Sequence, residues 1–224
     1  MLEGVMALKH ETLQSQVHQQ MCDLILQGAF VPGESVTVAS IAKALGVSPM
    51  PVREAISQLM ALGALTVVSG RSIGVPRLSV AEFSDLRKVR LEVETTAVRW
   101  ALAAMDEACI EQLTGILAKM EEAEEAGRGK EFIQENYKFH FAIYRQAGSP
   151  LLLEIISTLW LRITPQFHLL QSAGHYRVSN RQHRELLVAI SSRDAKAAVE
   201  ALREDIDSAY DVISESISEH GLKN

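Results

Sequence analysis

The chain has 224 residues, of which 47% are hydrophobic and 22% charged, and its formal net charge at pH 7 is −6. This length can hold one large or two modest domains, and it contains no apolar run of about 18 residues that would predict a membrane span. The amino terminus lacks the basic and apolar segments of a secretory signal, so we expect a cytoplasmic protein in which Cys22 and Cys109 are free thiols.

The first third of the chain predicts three helices in close succession. Apolar residues at helical spacing indicate a first helix over residues 10–27 and a second over residues 38–45, which Gly46 ends. Ser48 is a candidate N-cap for a third helix that starts near Pro49. A tight turn between two short helices is the helix-turn-helix pattern, whose second helix enters the major groove of DNA.

Several polar residues of this segment are placed to contact DNA. Arg53 lies on the exposed side of the third helix, where it can pair with a guanine or a phosphate, although a lone surface arginine is more often structural. Residues 65–69 and 73–76 are rich in β-forming residues and predict a hairpin, whose tip is a second candidate contact. The candidate DNA-contacting residues are Ser48, Met50, Arg53, Ser57, Ser69, Gly70 and Arg71.

Short motifs mark this segment: Pro32-Gly33, Ile41-Ala42, LGVS at 45–48, PVREA at 51–55 and GALTVVSGRSIGV at 63–75. They resemble the GntR family of bacterial regulators, and the last resembles the wing of that family. The resemblance implies a winged helix-turn-helix and operator DNA as a partner. One departure is Pro49, because the family commonly has an arginine there, so the operator sequence cannot be taken from relatives.

The remainder of the chain shows no strand pattern after a linker at residues 76–79. The fold is therefore predicted to be mainly α, with a winged helix-turn-helix domain at residues 1–77 and an all-helical bundle at residues 78–224. The predicted helices span residues 78–105, 107–126, 130–147, 151–170 with an interruption at Pro165, 179 or 180 to 191, and, after a cap at Asp194, about 195–220, with residues 171–180 as a polar loop.

The charge distribution bears on how the first region would bind DNA. Residues 1–78 carry five basic and five acidic side chains, so the net charge of −6 resides in the rest of the chain. A neutral domain can bind DNA through a local basic face, but it should bind weakly as a monomer. The sequence therefore favours a homodimer that presents two domains to a palindromic operator.

Four polar residues interrupt the apolar stripes of three predicted helices. Asn136 and His140 are four residues apart and share one helix face, while His183 and Asp205 lie at similar distances from the turn between the last two helices. Buried polar groups cost free energy unless they are paired, and two imidazoles, an amide and a carboxylate can share a cation. The alternative is that each side chain is satisfied by hydrogen bonds alone.

This second region resembles the FCD domain, the helical effector domain of the FadR-like branch of the GntR family. The matching stretches are NYKFH at 136–140, HRELLVAI at 183–190 and the SSRDAKAA turn. In metal-binding members an aspartate stands at the position of Asn136 and a histidine at that of Asp205, so the carboxylate is on the other side of this site. The resemblance implies a divalent transition metal, with zinc, nickel and manganese all compatible with the donor set.

Two arginines of the helical region indicate that the effector carries a carboxylate. Arg90 interrupts the apolar stripe Leu86, Val89, Val93, Ala97 of the first helix of this region, and VRLEVETTAVRWAL resembles the corresponding FCD helix at Arg90 and Glu94. An inward arginine near a cation would bind a carboxylate, with Arg162 as a second candidate, although an ion pair between Arg90 and Glu94 is an equal alternative.

Together these features predict a ligand-responsive transcription regulator, not an enzyme, that binds double-stranded operator DNA and a small carboxylate effector. Two alternatives remain at this stage: a helical metalloenzyme with a DNA-binding module, and a DNA-binding dimer without an effector. The sequence has no HExxH motif to favour the first. It does not identify the effector, the metal, the operator, the regulated genes, or whether the protein represses or activates.

Overall fold

The amino-terminal region is a three-helix unit with a small sheet, formed largely by local signals. In the computed structural model, which describes residues 12–70, 72–172 and 176–221, Gly46 adopts a left-handed φ of +66° after the second helix. This helix starts with a capping box between Thr37 and Ser40. The elements are α1 (Leu13–Leu26), β1 (Val36–Thr37), α2 (Val38–Leu45), α3 (Pro49–Ala61), β2 (Thr66–Ser69) and β3 (Ser72–Gly74).

The sheet has one strand more than the sequence predicted. Its order is β1-β3-β2 and both pairings are antiparallel, with Val36 opposite Ile73. The predicted hairpin is present, with a register shift between Val67 and Ser69. We did not predict β1, because two residues are too few to show the alternation typical of a strand.

In the described residues, the helical region contains the six predicted helices, of which the fourth is interrupted. The fifth begins earlier than expected. A 3₁₀ turn follows Ile163 at the predicted interruption by Pro165. Its elements are α4 (Val80–Ala101), α5 (Glu107–Glu125), α6 (Gly129–Arg145), α7 (Pro150–Ile163), the 3₁₀ turn (Thr164–Phe167), α8 (His168–Ser172), α9 (Tyr176–Ser191) and α10 (Ala195–Gly221).

Two predictions for this region were wrong in detail. Residues 171–180 were predicted as a loop, but α8 continues to Ser172 and α9 already begins at Tyr176. The polar composition of this stretch suggested a loop, whereas tertiary packing overrides such weak local preferences. On α4 the inward stripe is rotated by about one residue, since Arg90 and Glu94 are buried while Val89 is 42% exposed. Within the described ranges, every helix is too short or too polar to form a membrane span.

The helices pack so that α4, α6, α9 and α10 bring their polar residues into one interior. The core around them is aromatic, and Phe139, Tyr144 and Trp160 are almost fully buried. Helix α1 packs against α7 and the 3₁₀ turn, and the carbonyls of Gly28 and Pro76 accept hydrogen bonds from His168 and Gln166. The amino-terminal region therefore docks on the helical region. Two sites with different surroundings result, one on the surface of α3 and one inside the bundle.

Candidate DNA-contacting surface and buried polar site

Helix α3 presents its polar side chains to solvent. Its buried face contains Val52, Ala55, Ile56 and Leu59, and this spacing leaves Arg53 and Ser57 exposed on the other side. Arg53, Ser57 and Gly70 line one open groove between α3 and the hairpin. The groove is the surface that a helix-turn-helix would offer to a DNA duplex.

The other predicted contact residues surround this groove. Met50 is 65% exposed, and Ser48 and Ser69 are also exposed. Ser48 occupies the N-cap position of α3, but its side chain makes no capping hydrogen bond. Its hydroxyl is therefore available for another partner. Arg71, at the predicted tip of the hairpin, lies outside the described residues.

Inside the helical region, two imidazoles and a carboxylate converge from α6, α9 and α10. The Nε2 atoms of His140 and His183 are 3.0 Å apart. The Asp205 carboxylate lies 3.3 Å from Nε2 of His140 and 3.6 Å from Nε2 of His183. Ligand atoms about 2.1 Å from a tetrahedral metal ion are separated by about 3.4 Å, so this spacing suits a bound cation.

Three of the four predicted metal-binding residues line one interior cavity, and the fourth is in contact with one of them. Asn136, His140 and Asp205 line a cavity whose volume is about 10 Å³, room for one water molecule or one ion. His183 is fully buried behind His140. The three residues His140, His183 and Asp205 could hold a metal ion, with Asn136 beside them as a further oxygen donor.

A hydrogen-bonded chain behind His140 sets its tautomer. Tyr144 donates its hydroxyl proton to the Glu94 carboxylate over 2.6 Å, and Nδ1 of His140 lies 3.2 Å from the same hydroxyl oxygen. Because the hydroxyl has one proton, His140 must donate from Nδ1 to Tyr144. Its Nε2 is then a bare lone pair that points toward His183 and Asp205, as metal coordination requires.

The ionisation states agree with this arrangement. Burial, followed by the charge of Glu94, raises the pKa of Tyr144 well above its usual value, so the hydroxyl keeps its proton. Burial lowers the pKa of His183 to about 4, although Asp205 opposes the change. His183 is therefore neutral at pH 7 and can offer a lone pair to a cation.

The predicted effector-binding residues are not all in one place. Arg90 lines the cavity and donates to Glu94 from Nε at 2.6 Å and from Nη2 at 3.2 Å, so the ion pair considered from the sequence is present. Although burial disfavours the guanidinium charge, Glu94 offsets it, and the pKa of Arg90 is raised. Glu94 lies behind the cavity, where it accepts from both Arg90 and Tyr144.

Arg162 lies apart from this cluster. A Cβ added at Gly63 would lie 3.4 Å from Nε of Arg162. This Nε has no hydrogen-bond partner among the described residues. The residue near the end of α7 therefore faces the amino-terminal region. Tyr144 was not among the predicted residues, although its i+4 spacing from His140 places both side chains on one face of α6.

Comparison with known proteins identifies both regions. Residues 13–75 match the gntR family of bacterial regulatory proteins, and residues 85–208 match the FCD domain. The transcriptional regulator McbR of Escherichia coli is 30% identical over 206 residues, which cover 91% of this chain and 93% of McbR. The transcriptional repressor GlaR of Escherichia coli is 26% identical over 208 residues, covering 87% and 92% of the two chains.

A solved structure agrees with these matches. The structure of E. coli McbR/YncC superimposes with a TM-score of 0.84 at 28% identity, covering 92% of this chain and 99% of that one. The relatives are transcriptional regulators and not enzymes, which removes the metalloenzyme alternative. The chain therefore belongs to the GntR family of bacterial regulatory proteins, carries an FCD domain, and is a DNA-binding transcriptional regulator.

Proposed function

We propose that this regulator responds to a small carboxylate that binds beside a divalent transition metal in the helical region. The observation that carries the proposal is the convergence of His140, His183 and Asp205 inside the bundle, next to a buried cavity that Arg90 also lines. Two nitrogen and two oxygen donors, with Asn136 included, suit zinc, nickel or manganese. When bound, the metal would supply a positive charge that attracts an anionic ligand.

Arg90 has the donors that a carboxylate needs. Its ion pair with Glu94 uses two of its five N–H groups, so three remain for another acceptor. The guanidinium carbon of Arg90 lies 5.4 Å from the ring centroid of Trp160, and this cation–π contact helps to hold the guanidinium in place. A carboxylate in the cavity would therefore lie between a fixed guanidinium and the metal.

Metal analysis followed by calorimetry tests this proposal. Protein purified without chelators should contain about one metal ion per chain, and the loaded protein should bind acetate or a larger carboxylate more tightly than the matched amide. Protein that is free of metal and indifferent to carboxylates would support the alternative, in which the four polar residues form only a hydrogen-bonded core.

We further propose that the protein is a cytoplasmic homodimer, with residues 1–77 as the DNA-binding domain and residues 78–224 as the effector and dimerisation domain. Helices α4 and α7 pack against each other, and both leave apolar side chains exposed. Val89 and Trp100 on α4 are 42% and 53% exposed, and Leu151 and Ile155 on α7 are 68% and 43% exposed. Exposed apolar surface of this kind supports a contact with a second copy.

The dimer proposal has its own test. The substitution Trp100→Glu should shift the sedimentation coefficient toward that of a monomer and weaken operator binding, because each monomer would then bind one half-site alone. Val188→Glu, at an exposed valine on α9, is the matched control. A wild-type protein that sediments as a monomer at micromolar concentration would contradict the proposal.

A further inference from the structure

A short segment connects the cavity with the amino-terminal region. This segment, residues 164–170, contains the 3₁₀ turn and the start of α8. On one side, Phe167 and Leu170 form part of the cavity wall. On the other side, Gln166 and His168 reach the amino-terminal region, so neighbouring residues of one segment contact the two functional parts of the molecule.

The contacts to the amino-terminal region are two hydrogen bonds to backbone carbonyls. Gln166 donates from Nε2 to the carbonyl of Pro76 at 3.3 Å, and His168 donates from Nε2 to the carbonyl of Gly28 at 2.8 Å. Gly28 follows α1 and Pro76 follows the hairpin, so the bonds hold the amino-terminal region at two points, one after its first helix and one after its last strand.

The end of α1 also rests directly on the cavity wall. An added Cβ at Gly28 would come within 2.8 Å of Cγ2 of Ile133, and Ile133 lines the cavity from α6. The amino-terminal region is therefore separated from the cavity by a single layer of side chains.

The cavity is too small for the ligand that its polar groups would bind. A volume of about 10 Å³ accepts one water molecule or one ion, whereas even acetate has four non-hydrogen atoms. Part of the wall must move to admit a carboxylate. Most of the apolar wall belongs to long helices, but Phe167 and Leu170 belong to a four-residue 3₁₀ turn and a five-residue helix. Elements of this length contain few internal backbone hydrogen bonds to hold them in place.

Resting on the carboxylate site proposed above, we propose that residues 164–170 couple effector binding to the position of the amino-terminal region. A carboxylate in the cavity displaces Phe167 and Leu170, and this movement breaks the hydrogen bonds from Gln166 to Pro76 and from His168 to Gly28. The amino-terminal region is then released from the bundle, and its placement on an operator half-site changes. By linkage, the same hydrogen bonds oppose carboxylate binding.

A first experiment fills the cavity without any ligand. Ala209 lines the cavity on α10, so Ala209→Phe should push the segment outward. Amide hydrogen exchange, measured by mass spectrometry on the full chain, should become faster at residues 24–34 and 75–79. Ala201→Phe, at a buried alanine of the same helix that does not line the cavity, should leave these two stretches unchanged. Ala209→Leu is the milder variant if Ala209→Phe does not fold.

A second experiment removes the two hydrogen bonds and leaves the cavity intact. The double variant Gln166→Met, His168→Phe is loaded with Zn²⁺ and titrated with acetate, succinate and citrate. Since the broken bonds no longer oppose the ligand, the carboxylate that wild type binds should bind roughly five-fold more tightly for each hydrogen bond removed.

The outcomes separate this proposal from the one on which it rests. Equal carboxylate affinity in wild type and the double variant would overturn the coupling, as would unchanged exchange at residues 24–34 and 75–79 in a folded Ala209 variant. If wild type binds none of the carboxylates, the effector site is wrong, and the exchange measurement on Ala209→Phe still decides the coupling.

Discussion

The two regions of this regulator place their candidate functional side chains in opposite environments. In the amino-terminal region, Arg53 and Ser57 are exposed on a helix whose other face forms the core. In the helical region, the exposed fractions of His140 and His183 are only 1% and 0%. An exposed residue can act on a partner without any other side chain to hold it, whereas a buried polar residue must have its hydrogen bonds arranged by neighbours.

This difference predicts how the two regions respond to substitution. A change on α3 should alter binding to DNA and leave the free energy of unfolding almost unchanged. A change in the buried cluster should alter both metal binding and stability, because it leaves a neighbour unpaired.

The largest effect is expected for Arg53→Ala. In the proposed homodimer, one base or phosphate contact is lost in each of the two subunits. At roughly 1–3 kcal/mol for each bidentate base contact, affinity for an operator selected from random duplexes should fall by about 1,000-fold, and by at least about 30-fold. Fluorescence anisotropy measures the affinity, and urea unfolding should show a stable protein. Arg128→Ala, at an exposed arginine of the helical region, is the control. Unchanged operator affinity would remove Arg53 from the DNA interface.

The next effect is expected for His183→Ala. The substitution deletes one of the three converging donors. Loss of a residue that only supports a ligand typically lowers metal affinity by about 10- to 100-fold, so loss of the ligand itself should lower it by roughly 100-fold or more. Competition with a chromogenic chelator measures this affinity. The control is His18→Ala on α1, outside the cluster. A variant that retains wild-type metal affinity would show that His183 is not a ligand.

A smaller effect is expected for Tyr144→Phe. The substitution leaves the coordinating atoms in place but removes the hydroxyl that fixes the His140 tautomer. Metal affinity should fall by about 10- to 100-fold. Because the pKa of Tyr144 is raised well above its usual value, the difference from wild type should persist from neutral to mildly alkaline pH. Tyr137→Phe, at a half-buried tyrosine of the same helix, should have little effect, and equal losses in both variants would argue against a role for the hydroxyl.

The smallest effect comes from a matched pair of helix N-caps. Ser79 accepts from the backbone N–H of Glu82 at the start of α4, whereas Ser48 makes no capping hydrogen bond at the start of α3. Ser79→Ala should lower the free energy of unfolding by about 1 kcal/mol without affecting operator affinity. Ser48→Ala should leave stability unchanged and weaken operator binding. Equal stability losses from the two substitutions would mean that Ser48 is structural.

The amino-terminal region could be predicted closely because its signals are local. Gly46 ends α2 in a left-handed conformation, and the prolines at 49 and 51 start α3, as the sequence indicated. The short strand β1 could not be predicted, since it exists only through its pairing with β3. The exposed fraction of Arg53 follows from helical periodicity alone.

The helical region could be predicted in part. Helical spacing placed Asn136 and His140 on one face, and the apolar stripes identified His183 and Asp205 as inward residues, all of which are buried. The position of Arg162 could not be predicted, because its distance from the cavity depends on how α7 packs. The start of α9 was also misjudged, since polar composition does not distinguish a loop from a helix end that is held by tertiary contacts.

By itself, the sequence determined the order of helices, the helix-turn-helix and the residue types that face inward, because these depend on periodicity and on caps within a few residues. Only the tertiary structure decided the chain from Arg90 through Glu94 and Tyr144 to His140, the small cavity, and the segment that contacts both regions. Such contacts join residues far apart along the chain, and their distances are set by how the helices pack against one another.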